Sequence, residues 1–159
     1  ARLAPGLGDQ PEVWTVLGLV AEARGEASRA LECFQRALAL EPGNVESLES
    51  VARAQMARGE WEELARTCEK LVEADPEEPA YRQWLGVAYE GMGKLREAAR
   101  AYEEVLSMPS LPDEDRPIIY EALVDIYGKL GEEERAAEFM AKLLEEGGLR
   151  APPEGEERE

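Results

Sequence analysis

The sequence predicts an all-α fold, a solenoid of antiparallel helix-turn-helix repeats, on three observations. Glycines recur at Gly25, Gly59 and Gly93, 34 residues apart, and again at Gly131 after 38. Apolar residues on each side of these glycines follow the i, i+3, i+4, i+7 spacing of one helix face, as in Trp14, Leu17, Ala21 and then Ala30, Phe34, Ala37. Prolines stand at Pro11, Pro79 and Pro117, where a missing N–H is harmless and the fixed φ suits a first helical turn.

In chain order, residues 1–10 form an N-terminal arm, either an ordinary extension or the stub of a preceding repeat, since RLAPG at 2–6 echoes LALEPG at 38–43. Units then span 11–44, 45–78 and 79–112, an insertion DEDR occupies 113–116, and a fourth unit spans 117–150. Each unit holds two apolar stripes, and neither helix can bury its stripe alone. The glycine between the stripes ends the first helix, because the left-handed residue that stops a helix is free of strain only for glycine. Gly18 opposite Ala30 and Gly86 opposite Ala98 are expected to let the paired helices approach closely. Ala52 with Leu64 and Val124 with Ala136 read as the same volume divided differently. Gly147, Gly148, Pro152 and Pro153 end the last helix, and 151–159 reads as an acidic disordered tail. Ala137 and Leu144 are expected to lie partly uncovered, which would leave the last repeat open to self-association.

In the first unit Trp14, Leu17, Gly18, Ala21, Ala30, Phe34, Ala37 and Pro42 give the order W-x2-L-G followed by A, x3, F, x2, A, x4, P. This resembles the tetratricopeptide repeat. The third unit keeps Leu85, Gly86, Tyr89, Ala98 and Tyr102 at the same offsets, and the fourth keeps Tyr120, Leu123, Tyr127 and Ala136. The second is weaker, with Gln55 where an aromatic is usual and Leu64 in the small-residue place. The resemblance implies a right-handed superhelix of four repeats, with partners held in a concave groove lined by the first helix of each unit.

That geometry assigns groove positions to offsets 2, 5, 9, 12 and 13 of each unit, with 6 at the margin. The residues so chosen are Thr15, Leu19, Glu22, Glu46, Glu49, Arg53, Met56, Gln83, Trp84, Val87, Glu90, Ile118, Glu121 and Asp125, with Glu12 and Lys129 at further positions of the same set. Seven acids against two bases leave this surface at −5. A protein or peptide carrying Lys or Arg beside apolar side chains is the expected partner: Leu19, Met56, Val87 and Ile118 give contact area and the carboxylates steer. Trp84 either adds to that area or packs between repeats. The resemblance also allows a chaperone-tail clamp, but the positions that would hold a C-terminal carboxylate are Thr15, Leu19, Ser50, Ala80 and Trp84, and none matches. The alternative function is self-assembly through the repeat ends.

Composition narrows the rest. With 18 Lys+Arg, 35 Asp+Glu and no histidine, the net charge is −17. That balance argues against a phosphate backbone as partner, whose affinity comes from basic side chains displacing counterions. The missing histidine removes the usual general base and the commonest transition-metal ligand. We therefore expect no catalytic residues, no metal site and no cofactor. The acidic run Asp113, Glu114, Asp115 lacks the spacing of a calcium loop. Cys33 and Cys68 lie in apolar stripes and read as reduced core residues, which fits a cytoplasmic setting. No apolar run approaches the roughly 18 to 20 residues that span a bilayer, so membrane insertion is not expected. The excess of Arg over Lys, with Asn44 the single asparagine, hints at a bacterial source.

Overall fold

The computed structural model describes Gly6 and residues 9–146. They form eight α-helices and no strand: α1 (Pro11–Ala23), α2 (Ala27–Leu40), α3 (Val45–Arg58), α4 (Trp61–Ala74), α5 (Pro79–Gly91), α6 (Leu95–Leu106), α7 (Arg116–Leu130) and α8 (Glu133–Glu146). The stub proposed for the arm and the terminators and tail beyond 146 lie outside the described residues.

Each helix pairs with the next along the chain, so successive antiparallel hairpins stack. Two devices end the first helices. At Gly59 and Gly131 the cap itself is left-handed, with φ of 69° and 72°, a conformation that would strain any other residue. After α1 and α5 the caps Arg24 and Met92 stay right-handed, and the left-handed turn falls on Gly25 and Gly93 that follow them. Asn44 caps α3 by accepting a hydrogen bond from the Ser47 N–H at 3.0 Å, and the Glu78 side chain accepts from the Ala80 N–H at 3.1 Å at the start of α5. Asp113–Asp115 form one 3-10 turn that leads into α7, and Asp113 there receives the Arg116 Nε–H at 3.1 Å.

The core is divided into three clusters, each astride two hairpins. Ala21, Ala30, Phe34 and Val51 join α1 and α2 to α3. Leu48, Ala52, Leu64, Cys68, Leu71, Tyr81 and Ala88 join α3 and α4 to α5. The third and largest runs from Ala98, Tyr102 and Val105 of α6 through Leu111 to Ile119, Leu123, Ile126 and Tyr127 of α7 and Phe139 of α8. Phe139 stacks on Tyr127 with the rings almost parallel and centroids 5.9 Å apart, which anchors the last helix.

Two sequence expectations change. A Cβ at Gly18 would meet the Phe34 ring at 2.5 Å, and one at Gly86 the Tyr102 ring at 2.9 Å. These glycines thus make room for an aromatic ring from the paired helix, not for the approach of Ala30 or Ala98. The weak second unit has no aromatic there. A polar pair crosses the hairpin instead, with the Thr67 hydroxyl donating to Gln55 Oε1 at 2.8 Å. Cys33 and Cys68 are both free and buried, and burial pushes the Cys68 thiol up to about 12. At the far end Ala137 and Met140 are exposed, Met140 by 41%, while Leu144 is half-buried.

Candidate functional site

The candidate residues all belong to α1, α3, α5 and α7. Polar contacts tie α1 to α3 and α3 to α5, and an apolar cluster continues the row to α7. Between α1 and α3 the Thr15 and Ser47 hydroxyls are 2.9 Å apart, and Thr15 Oγ1 also lies 3.3 Å from Asn44 Oδ1. Between α3 and α5 the Tyr81 hydroxyl donates to Glu49 at 2.7 Å. Between α5 and α7 the link is apolar: Val87 and Tyr89 of α5 pack against the cluster that holds Ile119, Leu123 and Ile126 of α7. The four first helices therefore lie side by side.

This arrangement sorts the candidates. Thr15 is 2% exposed; its one hydroxyl proton has Pro11 O at 3.0 Å and Asn44 Oδ1 at 3.3 Å as acceptors, and its oxygen lies 2.9 Å from Ser47 Oγ. It holds α1 to α3 and has no surface for a ligand, so it leaves the set; a threonine at the turn-facing edge of a stripe reads the same from sequence whether it points in or out. Glu49 is half-buried under Tyr81, and Glu90 accepts from the Tyr102 hydroxyl at 2.6 Å. Burial first, and then these carboxylates, raise both tyrosines well above their ordinary range. Asp125 is engaged by Lys129, and Arg53 donates to Ser50 Oγ at 3.1 Å. Leu19, Met56, Trp84 and Val87 are half-buried against the inter-hairpin clusters. Ile118, in contrast, is 56% exposed. Gln83 lines a hollow of about 220 Å3 with Glu77, Pro79, Ser110, Leu111 and Asp115, beside the insertion.

Four carboxylates of these helices, Glu12, Glu22, Glu46 and Glu121, are exposed and make no hydrogen bond or ion pair among the described residues. Glu22 and Arg53, from adjacent first helices, both line a hollow of about 260 Å3 together with Ala27, Ala30, Phe34, Ala54 and Ala57. No sequence signal marked this hollow. Neither Trp61 nor its partner surface stood out either, although a Cβ at Gly91 would run into the Trp61 ring. Among the described residues no group of three or more His, Cys, Asp or Glu side chains is disposed to hold a metal, and no helix is long and apolar enough to cross a membrane.

Models of the tetratricopeptide repeat match residues 21–86 and 85–151. The chain belongs to the tetratricopeptide-repeat family. Its tetratricopeptide scaffold is of the protein-interaction type. Among curated tetratricopeptide-type relatives, the photosystem I assembly protein Ycf3 of Synechococcus sp. (strain CC9605) is 34% identical over 83 residues, 50% of this chain and 48% of that protein. The CTR9 homolog of Arabidopsis thaliana is 27% identical over 118 residues, 74% of this chain and 11% of that protein. The chain thus spans about half or less of the length of these curated relatives. Among solved structures, MamA AMB-1 superposes with a TM-score of 0.77 at 22% identity, covering 89% of this chain and 75% of that one. MamA 41-end from Desulfovibrio magneticus RS-1 gives 0.76 at 20%, covering 91% and 79%. At these identities the likeness to MamA is one of tetratricopeptide fold, a helical superhelix.

Proposed function

We propose that this chain is a non-enzymatic binding module whose first-helix face takes a protein segment bearing Lys or Arg beside apolar side chains. The observation that carries this reading is the set Glu12, Glu22, Glu46 and Glu121, carboxylates that the fold leaves unpaired while it ties up Glu49, Glu90 and Asp125. Unpaired acids along adjacent helices attract a cationic segment over the distance of a Debye length, roughly 8 Å in physiological salt. Ile118 and the half-buried Leu19, Met56, Trp84 and Val87 supply the apolar contact that gives such an encounter its lifetime. The name of the Synechococcus relative states an assembly role for that protein, and holding other proteins is activity of the same class.

The test is charge reversal of two unpaired acids on separate helices, Glu46→Lys with Glu121→Lys. We expect affinity for a basic-apolar peptide to fall about ten-fold, with stability shifted by no more than about 0.5 kcal/mol, since both positions are exposed and unbonded. Unchanged affinity sinks the proposal.

A second reading, self-assembly through the repeat ends, is favoured by one observation on α1. Val16 and Val20 are 57% and 42% exposed. The matching places in the later hairpins, Ser50 and Ala54, Trp84 and Ala88, Ala122 and Ile126, are all buried or half-buried. This face therefore has the shape to receive another hairpin, and the exposed Ala137 and Met140 of a second copy offer an apolar surface for it. Such a head-to-tail contact would be open-ended. Sedimentation over a concentration series checks it: self-association abolished by Val16→Lys with Val20→Glu supports this reading, and a monomer at all concentrations removes it.

A further inference from the structure

The hollow between α1, α2 and α3 is lined by small residues at places where the later hairpin junctions carry larger ones. At the next junction the place of Ala27 is taken by Trp61, that of Ser50 by Trp84 and that of Ala57 by Gly91, and the Trp61 ring lies on Gly91. At the third junction Leu95 and Ile126 stand where Ala27 and Ala54 stand in the first. Only the first junction combines Ala27, Ser50, Ala54 and Ala57, and there about 260 Å3 stays open. Phe34 does not fill it, because its ring is turned onto Gly18. The walls are mostly methyl groups and also include Glu22 and Arg53, two residues of the first-helix face.

We propose that this hollow is a specificity pocket for one aromatic side chain of the bound segment, tryptophan by preference. Trp61 identifies the occupant: one hairpin later, the same framework accommodates its indole ring in the corresponding place. An aromatic side chain buries some 150–250 Å2 and serves as an interface anchor more often than other residues. The exposed Glu22 carboxylate offers an acceptor to the indole N–H, and the same carboxylate attracts a neighbouring Lys or Arg. The inference rests on the proposal that this face binds a basic segment and adds to it the residue that fixes the register.

The experiment follows methyl NMR signals of Ala27, Leu31, Ala54 and Ala57 in the full chain during titration with three blocked peptides of sequence KKWKK, KKAKK and EEWEE. We expect saturable shifts with KKWKK, affinity about ten-fold above KKAKK, and the weakest binding with EEWEE. Ala27→Trp with Ala57→Gly rebuilds the Trp61–Gly91 pair inside the hollow. It should abolish the advantage of KKWKK and leave KKAKK binding unchanged, with Ala54→Leu as a milder filling variant if the double variant does not fold. Equal binding of KKWKK and KKAKK overturns the pocket and leaves the acidic face standing. EEWEE binding as well as KKWKK overturns the charge reading and leaves the pocket standing. Failure of all three peptides to bind overturns both. Shifts of these methyls with protein concentration alone, without peptide, assign the hollow to a second copy and overturn the pocket as stated.

Discussion

Gly86 shows how single residues set this fold's tolerances. A methyl there would stand 2.9 Å from the Tyr102 ring, and a methyl at Gly18 would stand 2.5 Å from Phe34. Alanine gains about 1 kcal/mol of helix propensity over glycine, but overpacking costs about 1–3 kcal/mol. Gly18→Ala, with the tighter contact, should therefore be destabilising on balance and should be rescued by Phe34→Leu; urea unfolding of the two variants checks it. The tyrosines carry a pH dependence whose sign is fixed by their environment. Burial, followed by the Glu103 hydrogen bond at 2.5 Å, pushes the Tyr127 hydroxyl up to about 12, and Tyr81 and Tyr102 are raised further. The folded state thus holds protons that the unfolded chain gives up near pH 10. Their contribution is complete below about pH 10 and is lost as pH rises through the folded values. Thermal melts between neutral and strongly alkaline pH should show this loss, and Tyr102→Phe should flatten it while costing about 1.5 kcal/mol at neutral pH, the worth of a hydrogen bond to a carboxylate. Cys68, with no exposed surface and its thiol held up near 12, should resist alkylation until the chain unfolds.

Helices here are amphipathic pieces that find stability only in pairs, and their sequence signals were of unequal depth. The ends were legible because caps are local. A glycine after an apolar stripe, or a proline before one, acts on backbone groups a few residues away, and the structure turns at Gly25, Gly59, Gly93 and Gly131. What each helix does with its polar residues was less legible, because that depends on a neighbour on the next hairpin. Glu49 and Glu46 look alike in the chain, yet Tyr81 reaches only Glu49. Thr15 and Glu22 both fall at face positions of α1, yet Ser47 and Asn44 close over Thr15 alone. Leu64 is fully buried against α3 and α5 and sits where the other hairpins have alanine. Leu64→Ala should cost about 2–5 kcal/mol, measured by denaturant unfolding, because it removes a fully buried side chain from the cluster and leaves a cavity.

The whole molecule behaves as a row of hairpins, each sharing a core with its neighbours only. Stability in such a row is a sum of local terms and need not be uniform. Among the described residues, the cluster joining the first two hairpins has four buried members, against eleven in the cluster that joins the last two. Amide exchange should therefore be fastest in α1 and α2 and slowest in α6 and α7, and equal protection along the chain would contradict this division of the core. The first junction also holds the open hollow, so its lower stability and its capacity to admit a side chain have one origin in the small residues Ala27, Ser50, Ala54 and Ala57.

The sequence by itself determined the class of fold, the period of the repeat and the turns, because helix periodicity and glycine caps act over a few residues and repeat down the chain. It also determined the excess of acid, since net charge is a count. Only the tertiary structure decided which acids are spent and which are free, that Gly18 and Gly86 serve aromatic rings, and where a ring-sized space is left unfilled. Those outcomes depend on side chains from two or three hairpins meeting at one point, and volume and hydrogen-bond partnership at such a point are properties of the assembled stack.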